Sequence, residues 1–170
     1  MPADAPKSTP APPGLPGALP LILRIGLIAG TLDITDALVF SYFRGATPFM
    51  VFQYIASGLI GARSFQLGWT SVFLGVAIHY FIALTWTALF YLLSRRFAIL
   101  VRQPVPSGLL YGVAVYLFMN LVVLPLSRVP HPLKPASLVS RVNGVLALMF
   151  CIGLTISLLV RRGSVQSVSV

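Results

Sequence analysis

The chain has 170 residues, enough for one domain, and its composition argues against a soluble protein. Apolar residues make up 57 % of it and charged residues 9 %, whereas soluble globular proteins have roughly 45–50 % and about 25 %. The mean hydropathy is +0.92. Because so few polar side chains cannot cover a water-soluble globule, we predict an integral membrane protein whose first partner is a lipid bilayer.

The net charge of +9 does not indicate a nucleic-acid partner. Most basic residues stand singly or in pairs at the ends of apolar runs, as Arg95 with Arg96 and Arg161 with Arg162 do. A nucleic-acid binder would show a basic stripe with interleaved aromatic residues. Arginines at the ends of apolar segments are instead typical of interfacial anchors and topology signals.

In chain order, residues 1–20 are rich in proline and alanine and predict a flexible, extended tail, because proline blocks helix formation. Four apolar segments follow, each with the roughly 20 residues that a helix needs to cross about 30 Å of hydrocarbon. They are Leu21–Phe43, Trp69–Leu93, Ser107–Leu126 and Leu138–Val160. The predicted fold is therefore an all-α bundle of four transmembrane helices over residues 21–162, followed by a short C-terminal tail, 163–170.

The segment Thr47–Ala62, between the first two spans, predicts a further short helix. Thr47 followed by Pro48 is a good helix start, and the apolar run ends after about 12 residues, at Gly58 and Gly61. That length is too short to span the bilayer and is typical of interfacial or re-entrant pieces. Both alternatives, a helix lying on the outer face and a half-helix lining a cavity, are open at this point.

The basic residues also predict an orientation. With four spans both termini lie on one side, which carries seven basic residues against five on the other. The seven are Lys7, Arg24, Arg95, Arg96, Arg102, Arg161 and Arg162, and the five are Arg44, Arg63, Arg128, Lys134 and Arg141. The positive-inside rule then places both termini in the cytoplasm.

Asp33 and Asp36 are the candidate functional residues of the first span. Three positions apart, they lie on one helical face, together with Gly26 and Gly30, whose spacing lets another helix approach closely. A carboxylate at a helix centre costs roughly 2.5–3.5 kcal/mol on insertion scales. We therefore expect the pair to point into the protein, with one carboxyl protonated or both paired. It would then either handle protons or cations or act as a hydrogen-bonded packing contact.

Candidate partners for these carboxyl groups come from the other helices. His79 is central in the second span, Asn120 lies late in the third and Asn143 early in the fourth, while Gln53 belongs to the short segment. Intramembrane ionisable groups usually find each other, so a contact between His79 and Asp33 or Asp36 would make a proton relay. A carbonyl or hydroxyl group would satisfy the histidine equally well.

Enzyme, metal and cofactor chemistry find little support. The acidic residues are all aspartates, so no HExxH zinc helix exists. One cysteine, Cys151, and two histidines, of which His131 lies in a Pro-rich loop, cannot form a usual closed zinc site. Ser57 and His79 lack the Gly-x-Ser-Gly setting of intramembrane serine proteases. We expect no catalytic residues, no metal and no cofactor.

Four stretches carry a family resemblance: Gly30–Asp33, Gln53–Gly58, Gly75–His79 and Tyr111–Ser127. Together they resemble the YagU-like group of small bacterial inner-membrane proteins. The resemblance implies four membrane helices and a bacterial inner membrane, and it implies no activity. It marks the positions of Asp33, Gln53, His79 and Asn120. Relatives often carry a histidine early in the fourth helix, where this chain has Ser140–Asn143, so a two-histidine metal site is not expected.

Two functional hypotheses follow. In the first, a small oligomeric membrane protein moves a proton, an ion or a small polar solute through a site built from Asp33, Asp36, Gln53, His79 and Asn120. In the second, a non-catalytic structural or accessory protein uses its aspartate face to bind a partner helix or lipid. The first predicts that Asp33→Asn abolishes flux without unfolding the protein, whereas the second predicts joint loss of expression and oligomerisation.

Overall fold

The structure, a computed structural model, describes residues 15–130 and 137–166, with side chains described for 18–130 and 137–163. Within these ranges the chain is helical and contains no strand. The helices are α1 (Leu15–Tyr42), α2 (Pro48–Ile60), α3 (Trp69–Arg96), α4 (Ile99–Arg102), α5 (Pro104–Phe118), α6 (Leu124–Leu126), α7 (Leu138–Ala147) and α8 (Thr155–Gln166). A 3₁₀ helix, Gly61–Gln66, follows α2, and π-helical turns at Met119–Val123 and Leu148–Leu154 join α5 to α6 and α7 to α8.

Four helical segments are long and apolar enough to cross a membrane, which confirms the predicted fold class. They are TM1 (Ala18–Tyr42), TM2 (Trp69–Arg96), TM3 (Pro104–Leu126) and TM4 (Leu138–Gly163). TM3 comprises α5 and α6 with their π turn, and TM4 comprises α7, its π turn and most of α8. Two of the four predicted segments begin at the residue where the structure begins the span, because Trp69 and Leu138 follow clear breaks in the apolar pattern.

The first helix begins earlier than the sequence pattern indicates. α1 starts at Leu15, inside the stretch predicted to be an extended tail, and it contains Pro20. Proline is tolerated within the first turn, where backbone N–H groups have no partner in the helix, and further along it removes one helical hydrogen bond. Residues 1–14 of the predicted tail, and 167–170 at the other terminus, lie outside the described residues.

The four spans form an antiparallel ring in chain order. Gly26 and Gly30 of TM1 face Leu84 and Ala83 of TM2, and the Tyr111 hydroxyl of TM3 donates to the Trp86 carbonyl of TM2 at 2.7 Å. TM3 packs on TM4 through a hydrogen bond of 2.7 Å from Ser157 Oγ to the Pro104 carbonyl oxygen. TM4 closes the ring against TM1, where Leu21 lies beside Gly163.

This last contact also shows which ends of TM1 and TM4 meet. Because Leu21 and Gly163 are near neighbours, the start of TM1 and the end of TM4 lie at the same end of the bundle. We name it the terminal end; the short helix α4, between TM2 and TM3, lies there too and packs against α8. The opposite end, named the α2 end, carries α2 and the connection from TM3 to TM4.

TM3 and TM4 approach each other closely through glycines. A Cβ on Gly112 would overlap the Leu148 carbonyl oxygen and Met149 Cα, and one on Gly153 would overlap the Gly108 carbonyl oxygen. Gly108 and Gly112 have the small-xxx-small spacing that allows backbones to meet in a membrane. The core beside this contact contains Phe90, Ile156 and Val160 and lies toward the terminal end.

The short helix α2 begins as predicted. Thr47 is its N-cap, with Oγ1 accepting a hydrogen bond from the Met50 backbone N–H at 3.3 Å, and Pro48 is its first residue. Gly61 ends it with a φ of 67°, a left-handed value that favours glycine. Its 13 residues extend about 20 Å, less than the hydrocarbon thickness. The helix therefore does not cross the bilayer.

Both ends of α2 are level with the ends of spans. The Phe49 ring contacts Trp69, the first residue of TM2, with centroids 5.3 Å apart. The Gly58 carbonyl oxygen accepts from the Arg128 backbone N–H at 2.9 Å, just beyond the end of TM3. α2 therefore bridges the α2-end termini of TM2 and TM3.

Candidate intramembrane polar site

The polar face of TM1 lies between two neighbouring spans. Gly26 and Gly30 pack against TM2, and Ala29, on the same face, is fully buried. Asp33 and Asp36 follow one and two turns later, and both are half-buried within the protein. The glycine spacing thus brings TM2 close to TM1 just before the two carboxyl groups, at the middle of the span.

Asp36 is joined to TM4 by a hydrogen bond. The Asn143 side-chain amide of α7 donates to Asp36 Oδ2 at 2.9 Å. An amide carries both donors and an acceptor, so it can donate to an ionised carboxylate and accept from a protonated one. Asn143 was among the candidate partners in the sequence, and the structure identifies it as the residue that pairs with Asp36.

His79 of TM2 faces TM1, but its hydrogen bond is not the contact with an aspartate that the predicted proton relay needs. Its Nε2 atom is 2.8 Å from the Gly30 carbonyl oxygen, so the ring is hydrogen-bonded to the TM1 backbone. This is the carbonyl alternative left open by the sequence. Asp33 is nevertheless within electrostatic range of both His79 and Asp36. The structure therefore brings three ionisable groups of TM1 and TM2 together without a direct Asp–His hydrogen bond.

Further polar groups surround this cluster. Thr31 Oγ1 and the Tyr80 hydroxyl share a hydrogen bond of 2.9 Å between TM1 and TM2. Cys151, in the π turn of TM4, is within electrostatic range of Asp33 and Asp36. A weak signal for the Thr31–Tyr80 pair is present in the sequence, because Thr31 lies two residues before Asp33 and Tyr80 directly follows His79. Cys151 has no such signal, because a lone cysteine in an apolar run resembles any small buried residue.

We name the group Asp33, Asp36, His79 and Asn143 the TM1 polar cluster. Two of the site residues predicted from the sequence lie outside it. Gln53, a buried residue of α2, donates to the Ser64 carbonyl oxygen at 3.3 Å and to Ser71 Oγ at 3.4 Å. Ser71 precedes His79 by eight residues on α3, about 12 Å along the helix axis. Gln53 therefore fastens α2 and its 3₁₀ extension to the start of TM2.

Asn120 is the second residue outside the cluster. It lies in the π turn of TM3, is exposed, and donates its side-chain amide to the Tyr116 carbonyl oxygen of its own helix at 2.9 Å. Its helical-wheel position predicted an inward direction. The structure instead leaves Asn120 exposed and bonded within its own helix.

The chemistry available to the cluster is that of protons, cations and hydrogen-bonding solutes. Among the described residues no group of three or more His, Cys, Asp or Glu side chains could hold a metal ion. His131 lies outside the described residues. The cluster contains two carboxyl groups, an imidazole and an amide from three spans. The carboxyl and imidazole groups can bind and release protons, and the amide can donate and accept hydrogen bonds.

Comparison with known proteins adds no relative. No family model matches the chain, and neither a curated protein nor a solved structure is significantly similar to it.

Proposed function

We propose that this multi-pass membrane protein is not an enzyme and moves a proton, an ion or a small polar solute through the TM1 polar cluster. One observation carries the proposal: ionisable groups from TM1 and TM2 and the Asn143 amide of TM4 converge inside the bundle, between the centre of TM1 and its α2 end. Ionisable groups at this depth are costly, and where they occur they mark ion pathways and proton relays.

The hydrogen bonds of the cluster suit a changing protonation state. When Asp36 is ionised, it accepts the Asn143 N–H group seen in the structure. When it is protonated, its hydroxyl can donate to the oxygen of the same amide after a rotation of the side chain. Asp33 and His79 supply two further positions for a proton within the same region. A proton can therefore enter or leave Asp36 while its carboxyl group keeps the Asn143 amide as its hydrogen-bond partner.

The test is solute and proton flux in proteoliposomes, with internal pH followed by a trapped dye. Asp33→Asn removes the titratable group at nearly constant volume and is expected to abolish flux while the helical content is retained. Thr35→Ala is the matched control, because the Thr35 hydroxyl is exposed and bonds the Thr31 carbonyl of its own helix. Equal flux in the wild type and the Asp33→Asn variant would overturn the proposal.

The second candidate is a structural or accessory protein, and the Asp36–Asn143 hydrogen bond favours it. This bond fastens TM1 to TM4, and the Thr31–Tyr80 bond fastens TM1 to TM2, so the polar groups would serve helix packing and the binding of a partner helix. In that case Asp33→Asn and Asp36→Asn lose expression and oligomerisation together. A homo-oligomer is part of both candidates, because four helices of this length enclose little volume.

We further propose a bacterial inner-membrane location with both termini in the cytoplasm, and membership of the YagU-like group. The excess of basic residues on the side of the termini supports the orientation. The contact between Leu21 and Gly163 supports a shared side for the ends of the described chain. The family proposal is supported by the stretches around Asp33, Gln53 and His79.

A further inference from the structure

The terminal end of the bundle gathers arginines from three helical elements. Arg96 is the last residue of α3, Arg102 the last of α4, and Arg161 and Arg162 lie in α8. α4 packs against both α3 and α8, and α3 also contacts α8. Residues separated by up to 66 positions in the chain therefore meet around α4. We name Arg96, Arg102, Arg161 and Arg162 the α4 basic surface.

Within the described residues this surface has no acidic side chain to balance it. The four arginines are exposed. The described chain has two carboxylic side chains, Asp33 and Asp36, and both belong to the TM1 polar cluster, far from the terminal end. Like charges gathered at one place repel one another, and an external anion that reaches all of them relieves this repulsion.

Apolar side chains beside the arginines indicate what kind of anion fits. Phe97 and Ile99 stand between Arg96 and Arg102 in the chain, and both are more than half exposed, at 53 % and 51 %. A free inorganic anion would make no apolar contact with Phe97 and Ile99. A lipid has a phosphate for the guanidinium groups, which bind it bidentately, and acyl chains for the adjoining apolar side chains.

We propose that the α4 basic surface binds the headgroup phosphate of an anionic phospholipid, with the acyl chains against Phe97 and Ile99. Basic sites between transmembrane helices at the cytoplasmic face are suited to such headgroups. The inference concerns a site at the end of the bundle and is independent of flux through the TM1 polar cluster. Loss of one would leave the other unchanged.

The opposite end provides a matched control. Arg63 lies in the 3₁₀ helix and Arg141 in α7, and both are exposed like the arginines of the α4 basic surface. Neither stands beside α4. An Arg102→Gln/Arg162→Gln variant and an Arg63→Gln/Arg141→Gln variant therefore remove the same charge from opposite ends, and each leaves eight of the ten described arginines in place.

The experiment titrates the purified full-length protein in zwitterionic detergent with phosphatidylglycerol, phosphatidylcholine and inorganic phosphate, and counts bound lipid by native mass spectrometry. Circular dichroism confirms that each variant keeps its helical content. We expect phosphatidylglycerol to bind tightest. At about fivefold per arginine, Arg102→Gln/Arg162→Gln should weaken it about 25-fold, and Arg63→Gln/Arg141→Gln should leave it unchanged.

Three results would overturn the proposal. Equal affinity for phosphatidylglycerol and phosphatidylcholine would show that charge is not recognised. Equal loss in both double variants would show a general charge effect without a site. Competition by inorganic phosphate at the same concentration as the lipid would assign the surface to a free anion.

Discussion

At the residue scale, the hydrogen bond between Asn143 and Asp36 distinguishes the two asparagines that the sequence offered as partners. Asn143 donates to a carboxyl group on another span, whereas Asn120 donates to a carbonyl of its own helix. Hydrogen bonds between membrane helices contribute about 0.6 kcal/mol on average and up to about 1.7.

This difference gives a stability prediction. Asn143→Ala should lower the free energy of unfolding by about 1 kcal/mol, because Asp36 loses its donor. Asn120→Ala should change it by less than about 0.5 kcal/mol, as is usual for exposed substitutions. Reversible unfolding in mixed micelles, followed by circular dichroism, measures both. Equal effects of the two substitutions would contradict the assignment of Asn143 as the partner of Asp36.

The sequence predicted the residue types of the site better than their contacts. It indicated that Asp33, Asp36 and His79 belong to one polar region, because ionisable side chains within hydrocarbon need polar partners. It did not determine that His79 would bond the Gly30 carbonyl oxygen. That outcome depends on the axial offset between TM1 and TM2, which the close packing of Gly26 and Gly30 sets.

At the element scale, glycines decide how closely the helices approach. Gly112→Ala should lower the free energy of unfolding by about 1–3 kcal/mol, as overpacking does, because its Cβ would overlap the backbone of Leu148 and Met149. Gly58→Ala is the control, since the nearest atom to its Cβ would be 3.8 Å away. It should be neutral or slightly stabilising, because alanine favours helix.

Thermal unfolding of the purified variants, monitored by intrinsic fluorescence, measures this pair. A melting temperature of Gly112→Ala equal to that of the wild type would contradict the backbone contact between TM3 and TM4. A large loss for Gly58→Ala would show that glycine substitutions destabilise this protein wherever they are made.

The helices themselves were largely predictable, and their irregularities were not. Apolar length predicted the four spans, and Thr47 with Pro48 predicted the start of α2. The π turn at Leu148–Leu154 left no signal, because its side chains are compatible with an ordinary helix. The turn at Met119–Val123 is followed by Pro125, which cannot donate a helical hydrogen bond to Leu121, but proline alone does not predict a π turn. Both turns alter which residues share a face beyond them.

At the scale of the whole molecule, the ring of four spans places both ends of the described chain on one side. All ten described arginines are exposed, six on the terminal end and four on the α2 end. Since the positive-inside rule counts such residues, we expect the terminal end to face the cytoplasm. The TM1 polar cluster also depends on this ring. Its residues come from three spans, and they meet because TM1 contacts both TM2 and TM4.

Reporter fusions at the C-terminus test this orientation. A green fluorescent protein fusion should be fluorescent and an alkaline phosphatase fusion inactive, because a cytoplasmic C-terminus allows only the first to fold in active form. A fusion of each reporter in the α2–end connection, after Arg128, should give the reverse. Active phosphatase at the C-terminus would contradict the orientation.

The most direct test of the TM1 polar cluster asks whether water reaches it. Asp33→Cys and Leu32→Cys, each in a Cys151→Ser background, place a thiol on the cluster face and on the adjacent exposed apolar face of the same helix. With a charged, membrane-impermeant methanethiosulfonate reagent, the account predicts labelling of the Asp33→Cys variant and none of the Leu32→Cys variant. No labelling at either position, or equal labelling at both, would contradict a hydrated intramembrane site.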